Sequence, residues 1–269
     1  MAYPPLGDML AALRETTPLV HCMTNYVAMN STANLLLATG ASPAMLHAPE
    51  EVAEFTALAG ALSINIGTLS TPWAESMQLA ARTANASQTP WVLDPVAVGA
   101  TAFRQQVCQA LLPHWPSVIR ANASEVMALT GLASQGRGVD ATASTDDAAH
   151  AAISLAQRQH CIVAMTGETD FLTDGTHHFR LTGGHPLMPR VTTLGCGLSA
   201  LVAGFVAANR EHPLTATLAA LACFSIAGHR AGQRADGPGS FQVALLDALY
   251  QLTPDDLSSL SQVEALHAV

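Results

Sequence analysis

Charge is scarce in this chain. Only 12% of its 269 residues are Asp, Glu, Lys or Arg, and acids outnumber bases 20 to 11, for a formal net charge of −9. That balance excludes nucleic acid as a main partner, because phosphate backbones are bound by clustered Lys and Arg. A local anion site is still allowed. Little charge beside 49% hydrophobic residues points to some surface hidden in an oligomer. The five cysteines (Cys22, Cys108, Cys161, Cys196, Cys223) are odd in number, far apart and without a C-x-x-C pair. Neither a disulfide framework nor a zinc ribbon is supported, and the expected compartment is the cytoplasm. The eleven histidines contain no H-x-x-x-H or H-E-x-x-H pattern, so histidine metal ligands are not expected. Neither G-x-x-x-x-G-K-[ST] nor G-x-G-x-x-G occurs, which excludes a P-loop kinase. The first twenty residues carry Pro4, Pro5, Asp8, Arg14 and Glu15 and are not expected to act as a signal peptide. The longest apolar run, around 196–208, is too short and too rich in Gly and Ser for a membrane span.

What is present is an alternation of short apolar runs with helical spacings. Leu6, Met9, Leu10 and Leu13 have helical periodicity. Leu19–Cys22 reads as a strand and Val27–Thr39 as a helix stopped by Gly40. Ala44-Met45-Leu46 is a candidate strand, and Pro49 starts a helix to about Gly60. Leu62–Ile66 is a strand ending at Gly67, and Thr71-Pro72 is a cap-plus-proline start for a helix to about Ala86. Trp91–Asp94 and Ser117–Arg120 are strands followed by helices over about 102–112 and from Asn122 to Gly131. Gly136-Arg-Gly138 lies in a polar loop. A helix over about 145–159 precedes the strand Cys161–Met165. Phe171–Leu181 is a hairpin around Asp174-Gly175, and apolar helices follow over about 196–208, 214–230 and 240–251. The pattern predicts one domain over 1–269 of α/β class, with a mainly parallel central sheet and helices on both faces. Functional residues of such folds gather at the carboxyl ends of strands. Asn25, Gly67, Asp94, Arg120 and Thr166 all fall there.

The segment from Val191 to Ala208 concentrates the chemistry. Its Thr/Gly turn opens an apolar helix whose free N–H groups form an anion site, and Cys196 sits at that end. An isolated cysteine in an apolar segment is usually an inert core residue. A helix N-terminus, however, should lower a thiol pKa and make it a base or nucleophile. Asn122 and Glu125 have the spacing of a capping box, and Glu125 or a water it holds could also organise Mg²⁺ near phosphate oxygens. Asp94, followed by Pro95, is either a turn former or a carboxylate holding Mg²⁺ through waters. Arg120 is a candidate polyphosphate contact or a surface cation. The hydroxyl of Thr166 serves a nucleotide phosphate or its own turn.

In order along the chain stand His21-Cys-Met-Thr-Asn25, Gly40-Ala-Ser-Pro-Ala-Met45, Ile64-Asn-Ile-Gly-Thr68, Leu93-Asp-Pro-Val-Ala-Val-Gly99, Arg120-Ala-Asn-Ala-Ser-Glu125, Thr166-Gly-Glu168 and Gly195-Cys196. Together they resemble the hydroxyethylthiazole kinase family of the ribokinase-like superfamily, over about Pro18 to Tyr250. The resemblance implies a ribokinase-like fold and transfer of the ATP γ-phosphate to the hydroxyethyl group of 4-methyl-5-(2-hydroxyethyl)thiazole in thiamine biosynthesis. It implies that Asn25, Met45, Gly67 and Gly195 bind this substrate, that Arg120 and Thr166 contact ATP, and that Asp94 and Glu125 serve Mg²⁺. Cys196 would stand where related sugar kinases place an aspartate base. It also implies a homotrimer with active sites at subunit boundaries. The alternatives are a kinase for another small alcohol, such as hydroxymethylpyrimidine or a sugar, a cysteine-nucleophile transferase or hydrolase, and a catalytically impaired ligand-binding homologue.

One departure from the family pattern stands out. The family reads Gly-Thr/Ser-Gly-Cys at the turn, whereas this chain reads Thr193-Leu194-Gly195-Cys196. If the first position needs φ > 0 or close backbone approach, Thr193 is strained there or narrows the site.

Overall fold

A computed structural model describes residues 4–131 and 145–266. The segment Gly136-Arg-Gly138 lies outside the described residues. The apolar runs form β1 (Leu19–Met23), β2 (Ser42–Ala44), β3 (Ala61–Asn65), β4 (Trp91–Asp94), β5 (Val118–Asn122) and β6 (Ile162–Thr166), followed by β7 (Thr169–Thr173), β8 (His178–Thr182) and β9 (Val263–Leu266). They make one sheet in the order β2-β1-β3-β4-β5-β6-β7-β8-β9. The pairs from β2 through β6 are parallel, and those from β6 through β9 are antiparallel. The expected hairpin at Asp174-Gly175, where Gly175 has φ 91°, joins β7 to β8, and the turn at Gly167-Glu168 joins β6 to β7.

Alternating strand residues point to opposite faces, and both faces are covered. Val20, Cys22, Ala61, Val92 and Val118 pack with α1 (Leu6–Thr16), α2 (Met29–Thr39) and the late helices α8 (Leu194–Ala208), α9 (Pro213–Gly232), α10 (Pro238–Gln251) and α11 (Pro254–Leu260). Leu62, Ile64, Leu93, Ile119 and Val163 pack with α3 (Pro49–Leu58), α4 (Thr71–Ala86), α5 (Ala102–Leu111), α6 (Ala123–Thr130) and α7 (Thr145–Gln159). Helix α9 is long and apolar enough to cross a membrane, but 78% of its most apolar window is buried within the protein. It is a core helix here.

Several boundaries differ from those expected. The second strand covers Ser42–Ala44 rather than Ala44-Met45-Leu46, because Val20 and His21 pair with Pro43 and Ala44. A proline is tolerated there because β2 is an edge strand, and Met45 falls in the loop beyond it. The cap of α4 is Ser70, whose hydroxyl accepts from Trp73 N–H, so Thr71 is already helical. Helix α8 starts at Leu194 rather than Cys196. The closing elements α11 and β9 were not expected from the sequence. Thr253 and Asp256 form a capping box on α11, and β9 completes the antiparallel edge.

Candidate active site

Parallel register brings the polar strand ends side by side. Asn65 and Asp94 are direct neighbours on β3 and β4, and Asn65 Nδ2 donates to Asp94 Oδ2 at 2.7 Å. Asn25, two residues beyond β1, donates from Nδ2 to Asn65 Oδ1 at 2.9 Å and to Cys196 Sγ at 3.2 Å. Ser199, three residues after Cys196 and so on nearly the same helix face, donates to Asp94 Oδ2 at 2.8 Å. The polar residues on the loops and strands therefore join the first turns of α8 in one hydrogen-bonded chain.

The N-cap of α8 is Thr193, with φ 71° and ψ −5°. This is the left-handed conformation that the missing family glycine would adopt freely, and a β-branched residue holds it under strain. Its hydroxyl lies 2.6 Å from Ser31 Oγ, and Ser31 itself donates to the Ala28 carbonyl. Thr193 is thereby tied to α2. Gly197 N–H already bonds the Thr193 carbonyl at 2.9 Å. The N–H groups that precede the first intrahelical bond are those of Leu194, Gly195 and Cys196, one residue earlier than a start at Cys196 would place them.

Arg120 lies across this helix end. Its Nη2 donates to Thr166 Oγ1 at 2.6 Å, and its Nη1 is 3.8 Å from Asp94 Oδ1. A Cβ on Gly195 would come within 2.8 Å of Arg120 Nη1, so only glycine lets the guanidinium rest there. Arg120, Thr166, Thr193 and Gly195 line a cavity of about 800 Å³, together with apolar residues such as Leu181 and Phe224. Its size is that of a small-molecule site. Asp170, which also lines it, accepts from Gly167 N–H at 3.0 Å and fixes the turn after β6. The chain has no lysine, so the guanidinium of Arg120 and the helix end supply the positive potential.

Asn25, Gly67 and Cys196 form a second cluster, in which Asn25 touches both others. A Cβ on Gly67 would meet the Asn25 side chain at under 3.0 Å, so glycine is what admits Asn25 to its place. Met45 is half-buried at the same end of the sheet, one residue beyond β2.

The electrostatics correct one expectation. The Cys196 thiol has its pKa raised, first by burial and then by the charge of Asp94; bonds from Asn25 and Asn65 and the charge of Arg120 only partly oppose this. Desolvation outweighs the helix end, so at neutral pH the group is a thiol. Asp94 is fully buried, and burial pushes its carboxyl up to about 6, against the pull of Arg120, Ser199 and Asn65. It is ionised at neutral pH. Its Oδ1 is buried without a hydrogen-bond partner.

Glu125 forms the expected capping box with Asn122. Its Oε2 accepts from Asn122 N–H at 2.8 Å, and its Oε1 accepts from Ala97 N–H at 2.9 Å. It therefore also anchors the loop after Asp94, where Ala97 has φ 53°. No group of three or more His, Cys, Asp or Glu able to cage a metal occurs among the described residues.

Three participants were missed in the sequence. Asn65 sits inside a quoted motif, and a polar residue in a buried strand is its signal. Ser199 is signalled by its i+3 spacing from Cys196. Arg104 donates from Nη1 to the Ile66 and Val96 carbonyls and from Nη2 to the Gly67 carbonyl. It clamps the loops after β3 and β4 together, and its local sequence carries no sign of this.

A family model described as the hydroxyethylthiazole kinase family matches residues 10–255. A hydroxyethylthiazole kinase of Rhizobium rhizogenes is 54% identical over 260 residues, 97% of each chain. One from Roseobacter denitrificans is 54% identical over 253 residues, 94% of this chain and 98% of the relative. The structure of a hydroxyethylthiazole kinase protein from Pyrococcus horikoshii OT3 superposes with a TM-score of 0.90 at 40% identity, covering 97% of this chain and 99% of that one. A pyridoxal kinase from Staphylococcus aureus in complex with ADP shares the fold, with a TM-score of 0.60 at 18% identity, covering 79% of this chain and 87% of that one.

Proposed function

The chain belongs to the hydroxyethylthiazole kinase family and is a phosphotransferase; from that premise we propose how its residues phosphorylate the hydroxyethyl group of 4-methyl-5-(2-hydroxyethyl)thiazole with ATP, in thiamine biosynthesis. The observation that carries the reading is the polar chain from Cys196 through Asn25 and Asn65 to Asp94, adjoining the cavity under Arg120. In it the acceptor alcohol and the phosphate donor meet at the N-terminus of α8.

ATP occupies the large cavity, with Arg120 and Thr166 on its phosphates. The thiazole alcohol lies against Asn25, Met45, Gly67 and Gly195, with its hydroxyl beside Cys196. Transfer is in-line and rests on positioning and electrostatics. The N–H groups of Leu194, Gly195 and Cys196 hold the developing anion. The unpartnered Asp94 Oδ1 fits a cation held through water, and Glu125, with both oxygens engaged by the backbone, would act on it through a second water. Mg²⁺ there would offset phosphate charge, as expected for an ion bound by one or two carboxylates and the substrate phosphates. As a thiol, Cys196 orients the substrate hydroxyl; as a thiolate it can take the proton. The same proposal includes a cytoplasmic location and a homotrimer.

An ADP-release assay with the thiazole alcohol, hydroxymethylpyrimidine and ribose tests the reaction. Release with the thiazole alcohol alone is expected; a preference for either other alcohol overturns the substrate. Thiazole binding without ADP release would mark an impaired homologue, in keeping with the strain at Thr193. Cys196→Ala should cut turnover while leaving the Kd for ATP largely intact. If Cys196 is the base, parent turnover climbs from pH 7 to 9 as the raised thiol begins to ionise. A flat profile, or full turnover in Cys196→Ala, removes that role.

A further inference from the structure

Thr193 opens α8 in an unusual way. An N-cap threonine ordinarily has an extended backbone and turns its hydroxyl onto the N–H two or three residues ahead, here that of Gly195 or Cys196. Thr193 does neither: its φ is 71°, and its side chain makes no cap hydrogen bond. Thr17, Gln88, Trp115 and His160 share the positive φ, but they follow the ends of helices, where that conformation is common. At the start of α8 a β-branched residue has to be held in it from outside.

Ser31 supplies the hold. Its hydroxyl gives its one proton to the Ala28 carbonyl at 3.1 Å, so the 2.6 Å bond to Thr193 Oγ1 is made with the threonine proton. The Thr193 hydroxyl is thereby turned to α2, away from the helix that it precedes. The bonds run on from there. Ala28 N–H donates to Asn25 Oδ1 at 3.0 Å, which orients the amide so that Nδ2 faces Cys196 Sγ at 3.2 Å. One short segment, residues 25–31, therefore holds both the turn at Thr193 and the thiol three residues later. Leu194, between them, is buried in the core.

Thr193 lines the large cavity together with Arg120 and Gly195, so the direction of its hydroxyl bears on the chemistry. Turned back onto α8, it would occupy an N–H group that the phosphoryl group needs. We propose that Ser31 is a positioning residue for the transfer: by taking the Thr193 hydroxyl it keeps the turn left-handed and leaves the Gly195 and Cys196 N–H groups open. Ser31 acts through Thr193 and not on the substrate itself. The inference rests on the reading of this site as that of a thiazole-alcohol kinase. It also gives the reason a threonine can stand where glycine would be free of strain: its second hydrogen-bonding choice, the helix, is removed by α2.

Steady-state ADP release with 4-methyl-5-(2-hydroxyethyl)thiazole tests the inference on four full-length proteins: the parent, Ser31→Ala, Thr193→Gly and the double variant. With Thr193 present, Ser31→Ala should lower kcat by about three- to ten-fold, the worth of one hydrogen bond. The loss should fall on kcat more than on the KM for the alcohol, because the open N–H groups serve the transition state. In the Thr193→Gly background the same substitution should cost less than about two-fold, since glycine takes the left-handed turn unaided and has no hydroxyl to cap the helix. Ser31→Thr restores the hydroxyl and should recover most of the lost turnover. Alanine is favourable within a helix, and melting temperatures follow the fold separately. Equal losses in the two backgrounds, or an unchanged kcat in Ser31→Ala whatever its melting temperature, would overturn the assignment. A parent protein that releases no ADP with the thiazole alcohol would instead overturn the substrate reading, and this inference with it.

Discussion

Asp94 shows how far a single residue is shaped by where it is placed. Its carboxyl is raised to about 6 by burial, against about 3.9 in an unfolded chain. Between those values the folded state holds a proton that the unfolded state has released. Stability from this group is therefore full below about pH 4 and is lost as pH rises through 6; above that, the ionised carboxylate costs on the order of 3 kcal/mol. Asp94→Asn should accordingly melt higher than the parent protein at pH 8, with the gain shrinking as pH falls to 4.5, while turnover is lost. Melting curves across that range, with ADP release at pH 8, measure both effects. A gain independent of pH would show that the charge is not the cause. Thr193 carries strain of a different kind: a β-branched residue at φ 71° costs about 1–2 kcal/mol. Its bond to Ser31 opposes that cost and links the α2 side of the site to the phosphate side.

Among the elements, the loops after β3 and β4 depend most on help from outside themselves. Arg104, three residues past the α5 cap Thr101, reaches back to three carbonyls on those loops. Glu125 holds the second loop from the start of α6. Arg104→Met keeps the aliphatic stem and removes the charged donors. It should lower unfolding free energy by about 2–3 kcal/mol and weaken thiazole binding, because the wall at Gly67 loses its anchor. Urea unfolding and calorimetry check the two parts. A loss of stability with unchanged thiazole affinity would confine Arg104 to a structural role. Helix α8 has a different dependence. The Arg120 guanidinium rests against its N-terminus only because Gly195 leaves space for it, so β5 and α8 are matched through one missing side chain.

At the scale of the molecule, the parallel part of the sheet places all the strand-end residues along one edge, and the late helices α8 to α11 close one face. Tyr26 and Val27 in the loop after β1, Leu37 on α2 and Leu58 on α3 are large exposed hydrophobic residues, side chains that the proposed homotrimer would cover. Light scattering after size exclusion should return about three times the chain mass of 27.9 kDa, and charge substitutions at Leu37 and Leu58 should lower it. A mass of one chain for the unmodified protein would remove the homotrimer from the proposal.

The sequence by itself determined the α/β alternation, the strand ends at Asp94 and Thr166, the capping box at Asn122 and Glu125, and the stress on Thr193. These rest on local rules, in which apolar periodicity and turn or cap residues act on their own stretch of chain. Only the tertiary structure decided the rest. Strand register set Asn65 beside Asp94, and packing drew Ser199 and Arg104 into the site from distant elements. The Cys196 thiol went opposite to the local expectation for the same reason. Its helix end favours the thiolate, but the protein around it excludes water and the charge of Asp94 lies nearby. Desolvation and through-space charge depend on what the fold brings together, and neighbours along the chain do not specify it.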